Sequence, residues 1–262
     1  MHCLAPFMGV VPVLLSFAVI PFGPPISYGD TEVSMQLANL NVGILYVFAM
    51  GSLAVYGTVL AGWVSHNKFS MFGSLRASAQ MISYEITMGL SIIGLLMSYG
   101  TLDLNKIVEA QGGLVWGFLP AIAFFIFFIS LMAETKRNPF DLPESESELV
   151  AGYFTEYSGM KFLFFWLGEF AEIVVASALV VVLFFGGWQL PLFTIDAIEL
   201  GSIIAPHVFA AKVAFFCVLQ VVIRWTVPRF RYDQVMNLCW KIMLPIAIVN
   251  LLLSAVFFLL TN

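Results

Sequence analysis

Long apolar stretches, separated by short polar connections, make up most of the sequence. A helix needs about 20 residues to cross the hydrocarbon core of a bilayer, and stretches of about that length recur along the chain. They lack the alternation of apolar and polar positions that the strands of a membrane barrel require. The pattern predicts an all-α polytopic membrane protein, a single domain with about seven transmembrane helices. The predicted spans lie approximately at residues 4–21, 41–63, 74–99, 115–133, 162–186, 207–226 and 235–260.

Residues 134–161, between the fourth and fifth predicted spans, are strongly polar and are called the polar island here. They carry nine of the 27 charged residues of the chain, which has 16 Asp and Glu and 11 Lys and Arg. The segment before Pro139 is predicted to end a helix, and a second helix is predicted to begin near Pro143. Phe140 and Leu142 lie between charged residues. This mixture favours a bound partner or an amphipathic ligand over a purely solvated helix start.

The basic residues of the connections predict the orientation in the membrane. Seven spans place successive connections alternately on the two sides. One side receives Lys68, Arg76, Lys136, Arg137, Lys161, Arg224, Arg229, Arg231 and Lys241, and the other receives Lys106 and Lys212. Because positively charged connections stay in the cytoplasm, the polar island and the first residues of the chain are predicted to face it.

The composition excludes several classes of protein. The chain is 61% hydrophobic and 10% charged, whereas charged residues make up about 25% of a soluble domain. No cluster of more than three basic residues is present, which argues against nucleic acid as a partner. The three cysteines have no CxxC spacing and the three histidines no HxxxH pair, so no disulfide framework, metal site or two-histidine haem site is expected.

Three glutamates fall inside predicted spans, namely Glu85, Glu169 and Glu172. A charged side chain at mid-membrane costs about 2.5–3.5 kcal/mol on insertion scales, so each glutamate needs a partner or water. Glu169 and Glu172 are three positions apart and share a helix face, where such groups can carry protons. Alternatively, each glutamate lies near a helix end or hydrogen-bonds a neighbouring helix.

A basic set precedes the last predicted span and consists of Arg224, Arg229 and Arg231, accompanied by Asp233. Two explanations stay open for it. The arginines anchor the helix to lipid headgroups, or they dock a soluble partner.

Three long stretches of the sequence resemble one protein family. They are GWVSHNKFSMFGSLRASAQMISYE at residues 62–85, AETKRNPFDLPESESELVAGYFTEYSGMKF at residues 133–162, and RWTVPRFRYDQVMNLCWKIMLP at residues 224–245. The shorter stretch FGGWQLP at residues 185–191 adds to the match. Together they resemble the quinone-site membrane subunit of respiratory complex I, which is the H subunit of the bacterial enzyme and subunit 1 of the mitochondrial enzyme.

The resemblance implies that the chain joins the membrane arm to the peripheral arm and encloses much of a long chamber for quinone. The residues assigned to the chamber and its cytoplasmic loop are Arg76, Glu134, Arg137, Asp141, Glu144, Glu146 and Glu148. The residues assigned to a proton relay into the membrane interior are Glu85, Glu156, Glu169 and Glu172. No catalytic residue is expected on this chain alone.

The resemblance also implies a function, cofactors and partners. The expected function is that of the chamber-forming subunit of a proton-translocating NADH:quinone oxidoreductase, with quinone as substrate. No cofactor is expected on this chain, and flavin and iron–sulfur clusters belong to partner subunits. The expected partners are the peripheral-arm iron–sulfur subunits, the small and antiporter-like membrane subunits, and the lipid bilayer. The expected location is the bacterial inner membrane, or the mitochondrial inner membrane if the chain is organellar.

The sequence departs from this family at its beginning. Members usually start with an additional transmembrane helix and an amphipathic segment rich in Arg and Gly. This chain starts at what resembles their second helix, so several chamber positions are expected to be missing from it.

Three other functions are compatible with parts of the pattern. One is a related subunit attached to a membrane-bound hydrogenase or to another electron donor. Another is a proton-coupled secondary transporter, which also uses membrane-embedded glutamates but predicts inverted repeats that the sequence does not show. The third is a structural membrane scaffold.

Overall fold

The computed structural model describes residues 2–28, 31–111, 118–143, 149–189 and 201–261. The helices are α1 (Leu4–Ser16), α2 (Gly43–Val64), α3 (Lys68–Tyr99), α4 (Leu104–Ala110), α5 (Phe118–Glu134), α6 (Met160–Phe184), α7 (Gly201–Thr226), α8 (Tyr232–Asn237) and α9 (Leu244–Thr261). Two 3₁₀ turns (Phe17–Val19 and Gly152–Phe154) and a π-helical turn (Leu238–Met243) complete the helical structure. Two short strands, β1 (Ile26–Tyr28) and β2 (Thr31–Val33), pair antiparallel.

Five of the described helices are long and apolar enough to cross a membrane, namely Gly43–Val64, Lys68–Tyr99, Met160–Phe184, Ile204–Thr226 and Tyr232–Leu260. Two shorter apolar helices, Leu4–Val19 and Pro120–Glu134, accompany them. The predicted fold class, an all-α polytopic membrane protein, is confirmed. Each of the seven predicted spans overlaps one of these helices, and the number of membrane crossings stays a prediction.

Helix α3 begins earlier than the sequence pattern predicts. The predicted span starts at about residue 74, whereas the helix starts at Lys68. Asn67 caps it, since its side-chain oxygen accepts a hydrogen bond from the Phe69 N–H at 3.1 Å. The helix ends at Gly100, whose φ of 65° gives the left-handed conformation typical of a helix C-cap. Most of the stretch expected to connect the second and third spans is therefore helical.

Small residues allow the membrane helices to approach one another closely. A Cβ atom on Gly57 of α2 would lie 2.6 Å from the backbone nitrogen of Gly9 on α1. A Cβ atom on Gly73 of α3 would lie 2.8 Å from the Cα of Gly152, in the 3₁₀ turn of the polar island. Close backbone approach of this kind is a usual way for helices to associate inside a bilayer. It brings the polar residues of neighbouring elements within reach of one another.

The polar connections gather at two ends of the helix bundle. At the end called the island end, the polar island meets the α2–α3 connection through Asn67 and Glu156, whose side chains are 3.0 Å apart. It meets the α7–α8 connection where the Phe230 N–H donates to the Pro139 carbonyl at 3.2 Å. The sequence predicts that these three connections lie on one side of the membrane, and the fold brings them together.

At the opposite end, two polar side chains hold the backbone after α6. Gln111 donates to the carbonyls of Val182 and Leu183 at 3.1 and 2.8 Å, and its oxygen accepts from the Gly186 N–H at 2.7 Å. The Lys212 ammonium donates to the carbonyls of Phe185, Gly187 and Gln189. These bonds satisfy carbonyls in the last turn of α6 and in the segment that follows it.

We expect Gly57→Ala to lower the thermal stability of the purified chain in detergent. The added methyl group collides with the backbone of α1, and overpacking of this kind costs about 1–3 kcal/mol. Gly89→Ala on α3 is the matched control, because a Cβ atom there meets nothing within 4 Å. Equal melting temperatures for the two variants would contradict this account of the α1–α2 contact.

Candidate functional site

Two basic residues follow α5 and turn into the protein. Lys136 has a φ of 53°, in the left-handed region that few non-glycine residues adopt, and its side chain is buried. Its ammonium lies 5.6 Å from the centre of the Tyr153 ring. The Arg137 guanidinium lies 4.6 Å from the centre of the Phe170 ring. Both cations thus face aromatic rings, which attract positive charge when water is excluded.

Glu169 of α6 is the acidic centre of this arrangement. Only 4% of its surface is exposed. The Tyr153 hydroxyl donates to one of its carboxylate oxygens at 3.0 Å, and Nη2 of Arg137 lies 3.4 Å from the other. Among the described residues, Nε and Nη2 of Arg137 have no partner in hydrogen-bonding geometry. The guanidinium therefore balances the charge of Glu169 and keeps donors available for another group.

Two further carboxylates, those of Glu134 and Glu172, line a small and mostly apolar cavity one turn deeper in the bundle. The cavity has a volume of about 50 Å³, and its lining includes Gly51, Glu134, Thr135 and Glu172. One water molecule needs roughly 10–15 Å³ of such space, so a few fit. Glu134 interacts electrostatically with Glu172 and with Glu85, while the Ser52 hydroxyl donates to Glu85.

These carboxylates form a row that runs from the island end into the bundle. Glu172 interacts electrostatically with Lys136, Glu169 and Arg137, and Glu134 interacts with Glu172, Glu85 and Lys136, so one buried cation partly offsets the repulsion. Neighbouring carboxylates with little water repel each other when all are ionised, so a proton held within the row lowers the electrostatic energy. The arrangement can store a proton and pass it between α6, α5 and α3.

Asp141 ties the polar island to the α7–α8 connection. Its carboxylate lies 2.5 Å from the guanidinium of Arg229. Burial raises the pKa of Asp141 above its usual value, and the positive charge of Arg229 opposes that rise. The Phe140 ring lies between the rings of Tyr84 and Phe230, with both centroid distances 5.7 Å. The first part of the island is thus fixed by charge, stacking and backbone contacts.

The other predicted residues lie apart from this cluster. Arg76 lies over the Tyr232 ring, with its guanidinium 5.7 Å from the ring centre. Arg231 pairs with Asp233 at 3.8 Å on the exposed surface, and Arg224 is exposed. Of the basic set, Arg229 thus binds the polar island of its own chain. Three further predicted positions, Glu144, Glu146 and Glu148, lie outside the described residues.

Glu156 lies at the island end, apart from the row of carboxylates. Its side chain is exposed in this single chain and accepts a hydrogen bond from Asn67 at 3.0 Å, and its assignment to the relay stays a prediction. The 3₁₀ turn at Gly152–Phe154 directs Tyr153 and Phe154 inward, and Tyr157 is buried as well, so Glu156 lies between buried aromatic residues with its own side chain outside.

Three residues of the site were missed by sequence reasoning. Ser52 lies 33 positions from Glu85, so only the packing of α2 on α3 brings them together. Tyr153 looked like one aromatic residue among many. Lys136 carried a visible signal, because it adjoins Arg137 directly after an apolar helix.

Among the described residues, no group of three or more His, Cys, Asp or Glu side chains is arranged to hold a metal ion.

Comparison with known proteins identifies the family. A family model described as NADH dehydrogenase matches residues 1–255. The chain belongs to the NADH dehydrogenase family. The resemblance read from the three long stretches is therefore confirmed.

Similar members of the family are named as the H subunit of NADH-quinone oxidoreductase. The H subunit numbered 2 in Geobacter sulfurreducens is 47% identical over 252 residues, which cover 96% of this chain and 73% of that protein. The H subunit of Protochlamydia amoebophila is 48% identical over 259 residues, or 98% of this chain and 76% of that protein. The H subunit of Rhodospirillum centenum is 47% identical over 252 residues, or 96% and 71%. These relatives are subunits of an oxidoreductase complex.

We expect the Asp141–Arg229 pair to show energetic coupling in a double-mutant cycle. Asp141→Arg and Arg229→Asp should each lower thermal stability, and the double variant, which exchanges the charges, should recover part of the loss. Contacting residues usually give coupling energies of about 0.5–3 kcal/mol.

The exposed pair Arg231 and Asp233 provides the control cycle. Its side chains are 81% and 75% exposed, so solvent screens their attraction. We expect no measurable coupling there. Additive effects at Asp141 and Arg229 would show that their contact does not hold the island.

Proposed function

We propose that the chain is the membrane subunit of a proton-translocating NADH:quinone oxidoreductase that forms much of the quinone chamber. We further propose that it contains the acidic path coupling quinone reduction to proton pumping. The names of its relatives supply the reaction, and the island end supplies a buried site suited to it. The observation that carries the proposal is the row of Arg137, Glu169, Glu172, Glu134 and Glu85.

The chemistry of quinone reduction fits the groups in this row. Adding two electrons to a quinone creates negative charge and requires two protons. Arg137 has guanidinium N–H groups without hydrogen-bond partners among the described residues, so it can donate to a negatively charged oxygen. The carboxylates next to it can deliver or relay protons, because each lies within electrostatic range of the next. Reduction at the island end then changes the charge state of groups inside the membrane.

The remaining assigned residues complete the proposed chamber and its surroundings. Arg76, Asp141, Glu144, Glu146 and Glu148 belong to the chamber or its cytoplasmic loop in this proposal. Iron–sulfur clusters and flavin would belong to neighbouring peripheral subunits of the same assembly, and they would supply the electrons. Antiporter-like and small membrane subunits receive the charge signal from Glu85 and Glu134. The complex lies in a bacterial inner membrane, or in the mitochondrial inner membrane if the chain is organellar, with the island end toward the cytoplasm or matrix.

The decisive test replaces the corresponding subunit of a bacterial host by this chain. The chain is expressed in its 262-residue form and also joined to the N-terminal segment of a relative. Membranes are assayed for assembled complex, inhibitor-sensitive NADH:quinone reductase activity and proton pumping. Assembly without quinone reductase activity in both forms would overturn the quinone assignment.

In the active form, we expect Glu134→Gln to lower coupled quinone reductase activity at least about tenfold while assembly persists. Positioned acid–base groups contribute about 10²–10⁴-fold to rates, and the other carboxylates of the row can replace part of that contribution. Glu109→Gln is the control, because Glu109 is exposed near the end of α4, at the opposite end of the bundle. Unchanged turnover and pumping in Glu134→Gln would remove Glu134 from the path.

A further inference from the structure

Gln80 of α3 is fully buried beneath the polar island, with 0% of its surface exposed. Its side-chain amide donates to the carbonyl of Ala133 at 2.8 Å and to the carbonyl of Phe140 at 2.9 Å. Ala133 belongs to the last turn of α5, where carbonyls lack intrahelical partners. Its carbonyl otherwise receives a longer bond of 3.4 Å from the Lys136 N–H. One nitrogen thus contacts two points of the chain that are separated by a turn.

Those two carbonyls bracket the segment that presents the charged groups of the site. Residues 134–139 lie between them and carry Glu134, Lys136 and Arg137. Because both carbonyl oxygens lie within 2.9 Å of the same nitrogen, the two ends of the segment are held close together.

We propose that Gln80 is a positioning residue that closes this turn and so orients Glu134 and Arg137 for the reaction. The kinetic part of the inference rests on the proposed function, whereas the closure of the turn does not. Gln80 acts through backbone carbonyls, and its hydrogen bonds among the described residues go to those carbonyls and not to the four carboxylates of the row.

The bonding pattern of the amide shows which of its atoms matter. Its oxygen has no hydrogen-bond partner among the described residues, so Gln80 acts here as a donor. Tyr84, one turn further along α3, supports the same segment from the same helix face. Its ring packs against Phe140, and its hydroxyl donates to the Val235 carbonyl at 2.8 Å. Gln80 and Tyr84 together fix Phe140 at the end of the turn.

The opposite end of the bundle offers a matched control. Gln111 is also buried and also donates through one amide nitrogen to two carbonyls, those of Val182 and Leu183. Its oxygen accepts from the Gly186 N–H as well. Replacing Gln111 therefore removes at least as many hydrogen bonds as replacing Gln80, but far from the carboxylate row. The Gln111 variant thus measures the loss of stability that follows from removing any buried, hydrogen-bonded amide.

The experiment compares the complex carrying this chain with its Gln80→Met, Gln80→Glu and Gln111→Met variants. Gln80→Met keeps the length of the side chain and removes both donors. Gln80→Glu keeps the shape and, when ionised, turns acceptor oxygens toward the two carbonyls. Per assembled complex, kcat and KM are measured with a short-chain ubiquinone. Hydrogen–deuterium exchange is measured for peptides covering residues 133–142 of the purified full chain.

We expect kcat/KM for the quinone to fall about fivefold or more in both Gln80 variants, the factor corresponding to loss of roughly one ordinary hydrogen bond. Exchange in residues 133–142 should become faster. Gln111→Met should lower the amount of assembled complex and leave kcat/KM per complex unchanged. Parental kcat/KM in the Gln80 variants, or an equal fall in Gln111→Met, would overturn the positioning role.

The two measurements separate this inference from the proposed function. If the parent complex reduces no quinone, the proposed function fails and hydrogen exchange alone decides whether Gln80 closes the turn. If a Gln80 variant does not assemble into the complex, hydrogen exchange in the purified chain still tests whether Gln80 closes the turn. Unchanged exchange in both Gln80 variants would show that the turn is closed without the amide.

Discussion

The buried carboxylate of Glu169 is the constraint on which the candidate site depends. A charge removed from water is costly unless a partner and hydrogen bonds compensate it, and removing one partner of a buried pair typically costs about 3–5 kcal/mol. Its partners come from two other elements, Arg137 after α5 and Tyr153 in the 3₁₀ turn. One carboxylate therefore holds α6, the start of the polar island and its later part in a common arrangement.

That arrangement is possible because small residues let the backbones approach. Gly73 of α3 leaves room for the backbone of Gly152, and the Ser70 hydroxyl donates to the Tyr153 carbonyl at 3.3 Å. These contacts place the Tyr153 side chain beside Glu169 and Lys136. Packing of glycines and pairing of charges thus act on the same turn. A larger residue at position 73 would move Tyr153 away from both charged groups.

Hydropathy is a local property, so the sequence predicted the helices and the polar island well. The need of Glu85 and Glu169 for partners was also predictable, because the cost of a membrane-embedded charge does not depend on the fold. The identity of the partners was not predictable, because they come from distant parts of the chain. Ser52 meets Glu85 across 33 positions, and in the same way Asp141 meets Arg229 across 88. Two features had overlooked local signals: the early start of α3, which Asn67 caps, and Lys136, which adjoins Arg137 directly after an apolar helix.

The two ends of the bundle differ in how many of their buried polar atoms have hydrogen-bond partners. At the opposite end, Gln111 uses both atoms of its amide, and Lys212 donates to three carbonyls. At the island end, buried polar atoms of Gln80, Arg137, Asn138 and Asp141 have no hydrogen-bond partner among the described residues. Buried polar groups normally find partners, so this concentration at one turn indicates a place for water, substrate or a partner subunit. The opposite end has fewer such atoms among the described residues: Gln36 Oε1 lacks a partner there, while Gln111 and Lys212 act as structural supports. The unsatisfied turn is where binding a further group gains most, because its oriented donors and acceptors already carry the cost of burial.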